Sequence, residues 1–356
     1  MTFARFMELA LYHPEHGYYA VRDDRPTRAG DFLTAPETHS IFGRAVARQL
    51  DDLWQSIGSP GLFSLVEYGA GTGALALDLL RGLATEGSGL VAAIRYRPVE
   101  ISAARERAIM SRLEEGGFGE HLGAPAGSVG CILANEFLDA LPVHRVVRAD
   151  GQLRELLVDW RDGHFAELRA VPSTSALAAR LAAEGVKLAE GQRAEICLAL
   201  DGWAADVSRQ VERGYVLLID YGHPAADLYA PTRRDGTLRA YTAHRVHADP
   251  FASVGRQDLT AHVDLTAVEQ ALEGQGWRGL GQTSQAEFLV AVGIDEVLRS
   301  VQGDPATTAE QYLALRSSLV RMLDPRAMGG FRVLLFGRGV PDGMPRGFGY
   351  KIPARS

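Results

Sequence analysis

Apolar positions along the chain alternate between two periods, and the switches between them mark out its elements. Ile41, Phe42, Ala45, Val46, Leu50, Leu53 and Trp54 recur at the 3.6-residue spacing of one helix face, and Ser59-Pro60-Gly61 stops the run. A short apolar strand over 63–68, a glycine turn over 69–73 and a helix lasting from Ala74 until Gly87 come next. A second strand over 92–102 leads to a charged helix over 104–115, and a third strand over 129–137 ends at polar residues. Alternation of this kind predicts a doubly wound, mostly parallel α/β sheet covered on both faces.

The second half is less regular. Residues 142–170 alternate about an Ala149-Asp150-Gly151 turn, which predicts a β-hairpin appended to the sheet. A helix over 175–185, a strand over 194–200 and a helix over 203–212 precede Gly214–Gly222, whose apolar run predicts a central strand. Residues 223–262 have little periodicity and predict a long functional loop. Helices follow over 265–276, 287–301 and 312–323, then a strand over 331–338 and a Gly/Pro-rich, extended or mobile tail over 339–356.

Composition narrows the function. The 356 residues are 46% hydrophobic and carry a net charge of −7, so counterion release at a phosphate backbone offers nothing and nucleic acid is not an expected partner. Cys131 and Cys197 both stand in apolar surroundings and read as small hydrophobes. No apolar run approaches a membrane span and no basic leader opens the chain, which predicts a cytoplasmic protein without membrane insertion.

The glycine turn Gly69-Ala70-Gly71-Thr72-Gly73 joins a strand to a helix, where backbone N–H groups and a positive helix end face a ligand. Gly69, Gly71 and Ala74 also satisfy a loose dinucleotide fingerprint, which leaves NAD open. Glu67, two residues before the first glycine, would repel a pyrophosphate and attract the sulfonium and ammonium of S-adenosylmethionine, so that cofactor is preferred. Glu100 closes the next strand, where a carboxylate accepts from ribose hydroxyls, or where it is only a solvated strand end.

Eight strings of residues, in order, resemble the MidA-like methyltransferases, the group that includes the mitochondrial complex I assembly factor acting as a protein arginine methyltransferase. They are Leu11–Tyr19, Gly30–Glu37, Val66–Gly73, Val99–Ser102, Ala134–Val146, Leu218–Gly222, Gly236–Tyr241 and Gly255–Leu265. The resemblance implies a class I methyltransferase fold with a seven-stranded sheet: an N-terminal helical extension over 1–60 packing over the cofactor cleft, and a catalytic domain over 61–338 with insertions near 142–200 and 223–285. It implies that Gly69, Gly71 and Gly73 approach the methionine part of S-adenosylmethionine, that Glu100 takes the ribose, and that the Thr34–Glu37 segment folds over the cofactor. Thr34 or Glu37 would otherwise start the helix that follows. The partner implied is a protein substrate, by family analogy a respiratory complex subunit, and the rival reading is a non-catalytic assembly chaperone that keeps the cofactor pocket. Residues 116–129 are short for the family's third strand.

Asn135, Glu136 and Asp139 follow the third strand at the carboxyl edge of the sheet, where α/β proteins assemble their sites. Carboxylates are the natural partners of a guanidinium. Glu136 is therefore the first candidate to hold a substrate arginine and Asp139 the second, although Asn135 and Asp139 would also serve as caps. Tyr221, beyond the buried strand ending at Asp220, would line the cleft or simply turn the chain. His244 and His262, with Asp258 and Asp264 nearby, lack metal-ligand spacing, so no metal is expected and local hydrogen bonds are.

Overall fold

The computed structural model describes residues 1–20, 40–242, 245–305 and 307–351. In chain order the strands are β1 (Phe63–Tyr68), β2 (Ile94–Val99), β3 (Ser128–Asn135), β4 (His144–Ala149), β5 (Gln152–Arg161), β6 (His164–Ala170), β7 (Arg193–Ile196) and β8 (Val211–Asp220). They continue with β9 (Gly222–His223), β10 (Arg239–Thr242), β11 (Arg245–His247), β12 (Asp258–Thr260), β13 (Val263–Asp264), β14 (Arg278–Ser284) and β15 (Arg332–Arg338). The described residues of 34–137, 206–220 and 275–356 form one compact unit, and those of 1–33, 138–205 and 221–274 another.

The first unit is a sheet in the order β14-β15-β8-β3-β1-β2. β2, β1, β3 and β8 run parallel, and β15 is antiparallel to both β8 and β14. Every residue of β1 is buried, as a strand covered on both faces requires. Phe63 and Leu65 pack with Ile41, Phe42, Val46 and Leu50 of the helix Ile41–Ser56 and with Leu79 and Leu80 of the helix Ala74–Thr85. Burial of each such side chain contributes about 1.5–3 kcal/mol. After β2, the Ser102 hydroxyl accepts from Arg105 N and starts the helix Ala103–Glu115.

Three expectations change here. The sheet has six strands among the described residues, not seven: where the family has a further strand before β3, this chain has one parallel bridge, Tyr96 to Leu122, beside a 3-10 turn at Gly119–His121. Too few residues separate the helix Ala103–Glu115 from β3 to hold a strand and its crossover. The helix expected over 287–301 is two, Gln285–Ala291 and Ile294–Gln302, broken at Gly293 with φ 83°. The chain beyond 339 is not simply extended: Phe348 is buried against Phe288, and Gly347 N donates to Gln49 Oε1 at 2.6 Å.

The second unit holds the alternating segment of 142–170, but as part of its own sheet. β4 and β5 form the expected hairpin, with Asp150 and Gly151 at positive φ in its turn, and β6 and β7 extend it into the antiparallel order β6-β5-β4-β7. The residues expected as a long loop carry β10, β12 and β11 in a small antiparallel sheet, with a helical turn at Ala225–Leu228. The helix Phe3–Tyr12, capped by the Thr2 hydroxyl, buries Phe3, Phe6, Met7 and Leu11 against Val143, Val158, Leu238 and Leu259. Residues 1–60 thus contribute to both units: 1–20 to this one and Ile41–Ser56 to the first.

Candidate functional site

At the carboxyl end of β1 the chain makes a left-handed turn at each of its three glycines, φ being 68° at Gly69, 60° at Gly71 and 73° at Gly73. A Cβ on Gly69 would meet the Phe137 ring at 2.8 Å, and one on Gly73 would meet Ile109 Cγ2 at 2.7 Å. Gly71 differs: its Cβ would meet nothing nearer than Gly69 O at 4.0 Å, so the space beside it is open. That open cradle is what close approach of a ligand to the backbone demands.

Glu100 closes the cradle from β2. Its Oε1 accepts from Gly71 N at 2.7 Å, its Oε2 from Ile101 N at 3.2 Å, and Arg105 Nε lies 3.4 Å from Oε2. The side chain is 6% exposed, so Glu100 is a buried acceptor beside the turn and not a solvated strand end.

Glu67 is buried as well, with Tyr96 Oη donating to its Oε2 at 2.6 Å. Burial raises its pKa from 4.5 to about 7; the Tyr96 hydrogen bond opposes the rise and the Glu100 charge adds to it. Burial thus leaves Glu67 short of the full negative charge expected of it: near neutral pH the carboxyl is poised to ionise and gains from a cation placed near it.

At the end of β3, Asn135 Nδ2 donates to Glu136 Oε1 at 3.3 Å, while Asn135 Oδ1 is buried with no hydrogen-bond partner. Glu136 has φ 50°, an uncommon conformation for a residue of its kind, and its N–H donates to Ile219 O at 2.8 Å. Asp220, 2% exposed at the end of β8, accepts from Phe137 N at 3.2 Å; the pattern of residues had not singled it out as a site residue.

In the second unit Tyr221 Oη donates to Asp139 Oδ2. Asp139 lies in the 3-10 turn Leu138–Ala140, and its main-chain oxygen accepts from Ala261 N at 2.9 Å. Asp264 caps the helix Leu265–Glu273 through Ala267 N. His262 stacks on His223, and burial holds its pKa down at about 4, so it is a neutral ring; its Nδ1 is buried without a hydrogen-bond partner, while its main-chain N–H donates to Thr237 Oγ1 at 3.1 Å. Among the described residues no three side chains gather as a metal site. Cys131 and Cys197 are free thiols, and burial raises the Cys197 pKa to about 11. Thr34, Glu37 and His244 lie outside the described residues.

The chain is similar to known methyltransferases. A family model described as S-adenosyl-L-methionine-dependent methyltransferase matches residues 45–283. The mitochondrial protein arginine methyltransferase NDUFAF7 homolog of Drosophila melanogaster is 30% identical over 92% of this chain and 78% of its own length; Mus musculus NDUFAF7 is 30% identical over 92% and 79%. A Burkholderia thailandensis crystal structure bound to S-adenosyl-homocysteine superposes with a TM-score of 0.86, at 34% identity over 98% of this chain and 90% of that one.

These relatives also overturn the cytoplasmic expectation, because the curated ones, the Homo sapiens protein among them, are named as mitochondrial. The described residues include no helix long and apolar enough to cross a membrane. The open cradle at Gly71, beside the buried acceptor Glu100, leaves room for a ligand against the backbone of this turn. The chain belongs to the family of S-adenosyl-L-methionine-dependent methyltransferases, is a methyltransferase, and takes S-adenosyl-L-methionine as its cofactor.

Proposed function

We propose that this methyltransferase modifies an arginine side chain of a protein substrate. The observation that carries the proposal is the similarity, across 92% of the chain, to relatives named as protein arginine methyltransferases. The cofactor supplies a methyl group on a sulfonium. Gly69, Gly71 and Gly73 give the backbone surface that would hold its methionine end, and Glu100 is the acceptor for ribose hydroxyls; Thr34 and Glu37 remain candidates by resemblance alone. Glu136 is the carboxylate proposed to orient the guanidinium, held by its left-handed backbone and by Asn135. Asp139 and Tyr221, already paired with each other, are further candidates on the substrate side. The family resemblance points to a respiratory complex subunit as the substrate protein.

The test is incubation of the purified chain with S-adenosylmethionine carrying a labelled methyl group and a mitochondrial or bacterial lysate, with the labelled residue identified by mass spectrometry. Label on arginine supports the proposal. Label on lysine, on a terminus or on a small molecule overturns it.

A further inference from the structure

Two carboxyl groups of the second unit meet where neither finds another donor. Glu184 ends the helix Ala176–Ala183, Asp264 starts the helix Leu265–Glu273, and the two side chains hydrogen-bond to each other. Asp264 is 6% exposed; its Oδ1 accepts from Ala267 N, but its Oδ2 is buried with no donor beside it, and so are both oxygens of Glu184. The surroundings are apolar, with Leu177 and Leu181 of the first helix packed with Leu188, Leu228 and Tyr229. Ionised together, the two groups would leave three buried oxygens without a donor and face each other as like charges. One proton on Glu184 relieves both, because the acid then donates to Asp264.

Among the described residues no other neighbour supplies that proton. Tyr229 stands beside Asp264, yet its hydroxyl donates to the main-chain oxygen of Glu195 at 3.1 Å, and burial with the charges of Asp264 and Glu184 raises its pKa well above the ordinary value. The Glu195 carboxylate accepts from Thr237 N at 2.6 Å. Arg180, one turn before Glu184, donates through Nη2 to both oxygens of Asp201 at 2.8 and 2.7 Å, and its Nη1 is buried without a partner. Burial, then the Asp264 charge and hydrogen bond, raise the Glu184 pKa from 4.5 to about 8, while Arg180 lowers it. Glu184 therefore has two resting places set by its proton. Neutral, it is bonded to Asp264; ionised, it is repelled by Asp264 and drawn to the spare nitrogen of Arg180 on its own helix.

We infer that Glu184 and Asp264 form a pH-operated latch, which ties the end of the helix Ala176–Ala183 to the start of the helix Leu265–Glu273 while the proton is present and releases it when the proton leaves. The folded chain holds this proton more tightly than the unfolded one, so the latch is closed at pH 6.5 and opens as pH rises through 8. Release frees the segment 176–188 and leaves Asp264 in its cap. The inference does not depend on which residue the enzyme methylates.

Hydrogen exchange of the full chain, read by mass spectrometry at pH 6.5 and pH 9.5 and corrected for the intrinsic pH dependence of amide exchange, tests the latch. Protection over 176–188 should fall by about tenfold or more between the two pH values in the wild type, while the helix Ile41–Ser56 keeps its protection and shows that the chain is folded. Glu184→Gln offers Asp264 an amide hydrogen at either pH and should hold protection over 176–188 constant. Asp264→Asn keeps the cap, since asparagine caps as well as aspartate, and gives ionised Glu184 a donor, so it too should remove the fall. Constant protection in the wild type, or a fall in either folded variant as large as in the wild type, overturns the inference.

Discussion

Replacing Glu67 by Gln isolates the energetic cost of an ionisable group inside the sheet. Glutamine keeps the size and leaves an oxygen to accept from Tyr96 Oη, but it carries no charge at any pH. In the wild-type protein the folded-state pKa of about 7 stands above the ordinary 4.5, so the folded state holds the proton more tightly than the unfolded chain. The stability this contributes is complete below pH 4.5 and is lost as pH rises through 7. A shift of about 2.5 units at 1.36 kcal/mol each amounts to about 3 kcal/mol, and with Glu67 3% exposed, solvent screening takes little from it.

The variant should therefore gain on the wild type by about 2–3 kcal/mol between pH 5 and pH 8, whatever constant offset the new amide brings. Urea unfolding of the ligand-free chain at the two pH values, followed by tryptophan fluorescence, measures this, with Trp54 and Trp277 reporting from the same unit. Parallel shifts for the two proteins, with no difference between pH 5 and pH 8, would refute the argument that burial holds the proton on Glu67.

Three more substitutions address the cofactor and the transfer step. A Cβ at position 71 meets nothing nearer than Gly69 O at 4.0 Å, but Gly71→Val must adopt φ 60° and fills the open cradle, so calorimetry should find S-adenosylmethionine binding abolished in a chain whose circular dichroism is largely retained. Glu100→Ala should weaken the cofactor by roughly 1.5–3 kcal/mol and Glu100→Asp by less; unaltered affinity would reduce Glu100 to a brace for the turn. Glu136→Gln should leave cofactor affinity in place while methyl transfer falls by about 100-fold or more, the scale of one preorganised electrostatic contact. Full turnover in that variant would remove Glu136 from the substrate site, and joint loss of cofactor binding would assign it to the fold.

The elements of the first unit were readable because local and global signals coincide there. The strand, glycine turn and helix over 63–85 each follow from a few adjacent residues, and the turn's chemistry follows from the same residues. β14 was not readable: Arg-Gly-Leu-Gly-Gln-Thr-Ser has neither alternation nor β-branched density, and it forms a strand because β15 offers it an edge. Short strands such as β10 and β12 were lost for the same reason, since partners distant in sequence decide them.

The candidate site divides along the same line. Gly69, Gly71, Gly73 and Glu100 were legible as a motif and its spacing. The Tyr19–Asp258 hydrogen bond was not, because a tyrosine's role depends on which acid its hydroxyl reaches, and Asp258 lies 239 residues beyond Tyr19. The Tyr221–Asp139 pair was legible only as two separate strand ends. Burial of Glu67, which alters its charge, has no signature in the sequence at all.

The single bridge at Leu122, in place of a full strand before β3, leaves β2 as the border of the sheet, and a parallel border is a template on which another chain could grow. The protein blunts it with its own residues. Gly123 N and Ala124 N both donate to Tyr96 O, occupying an acceptor in the middle of that border, while Arg95 and Arg97 set positive charges along it and Pro98 has no N–H to offer. The shortened segment thus bears on solubility as well as topology: exchanging Arg95, Arg97 and Pro98 for apolar β-formers would keep the strand and open the molecule to self-association along it.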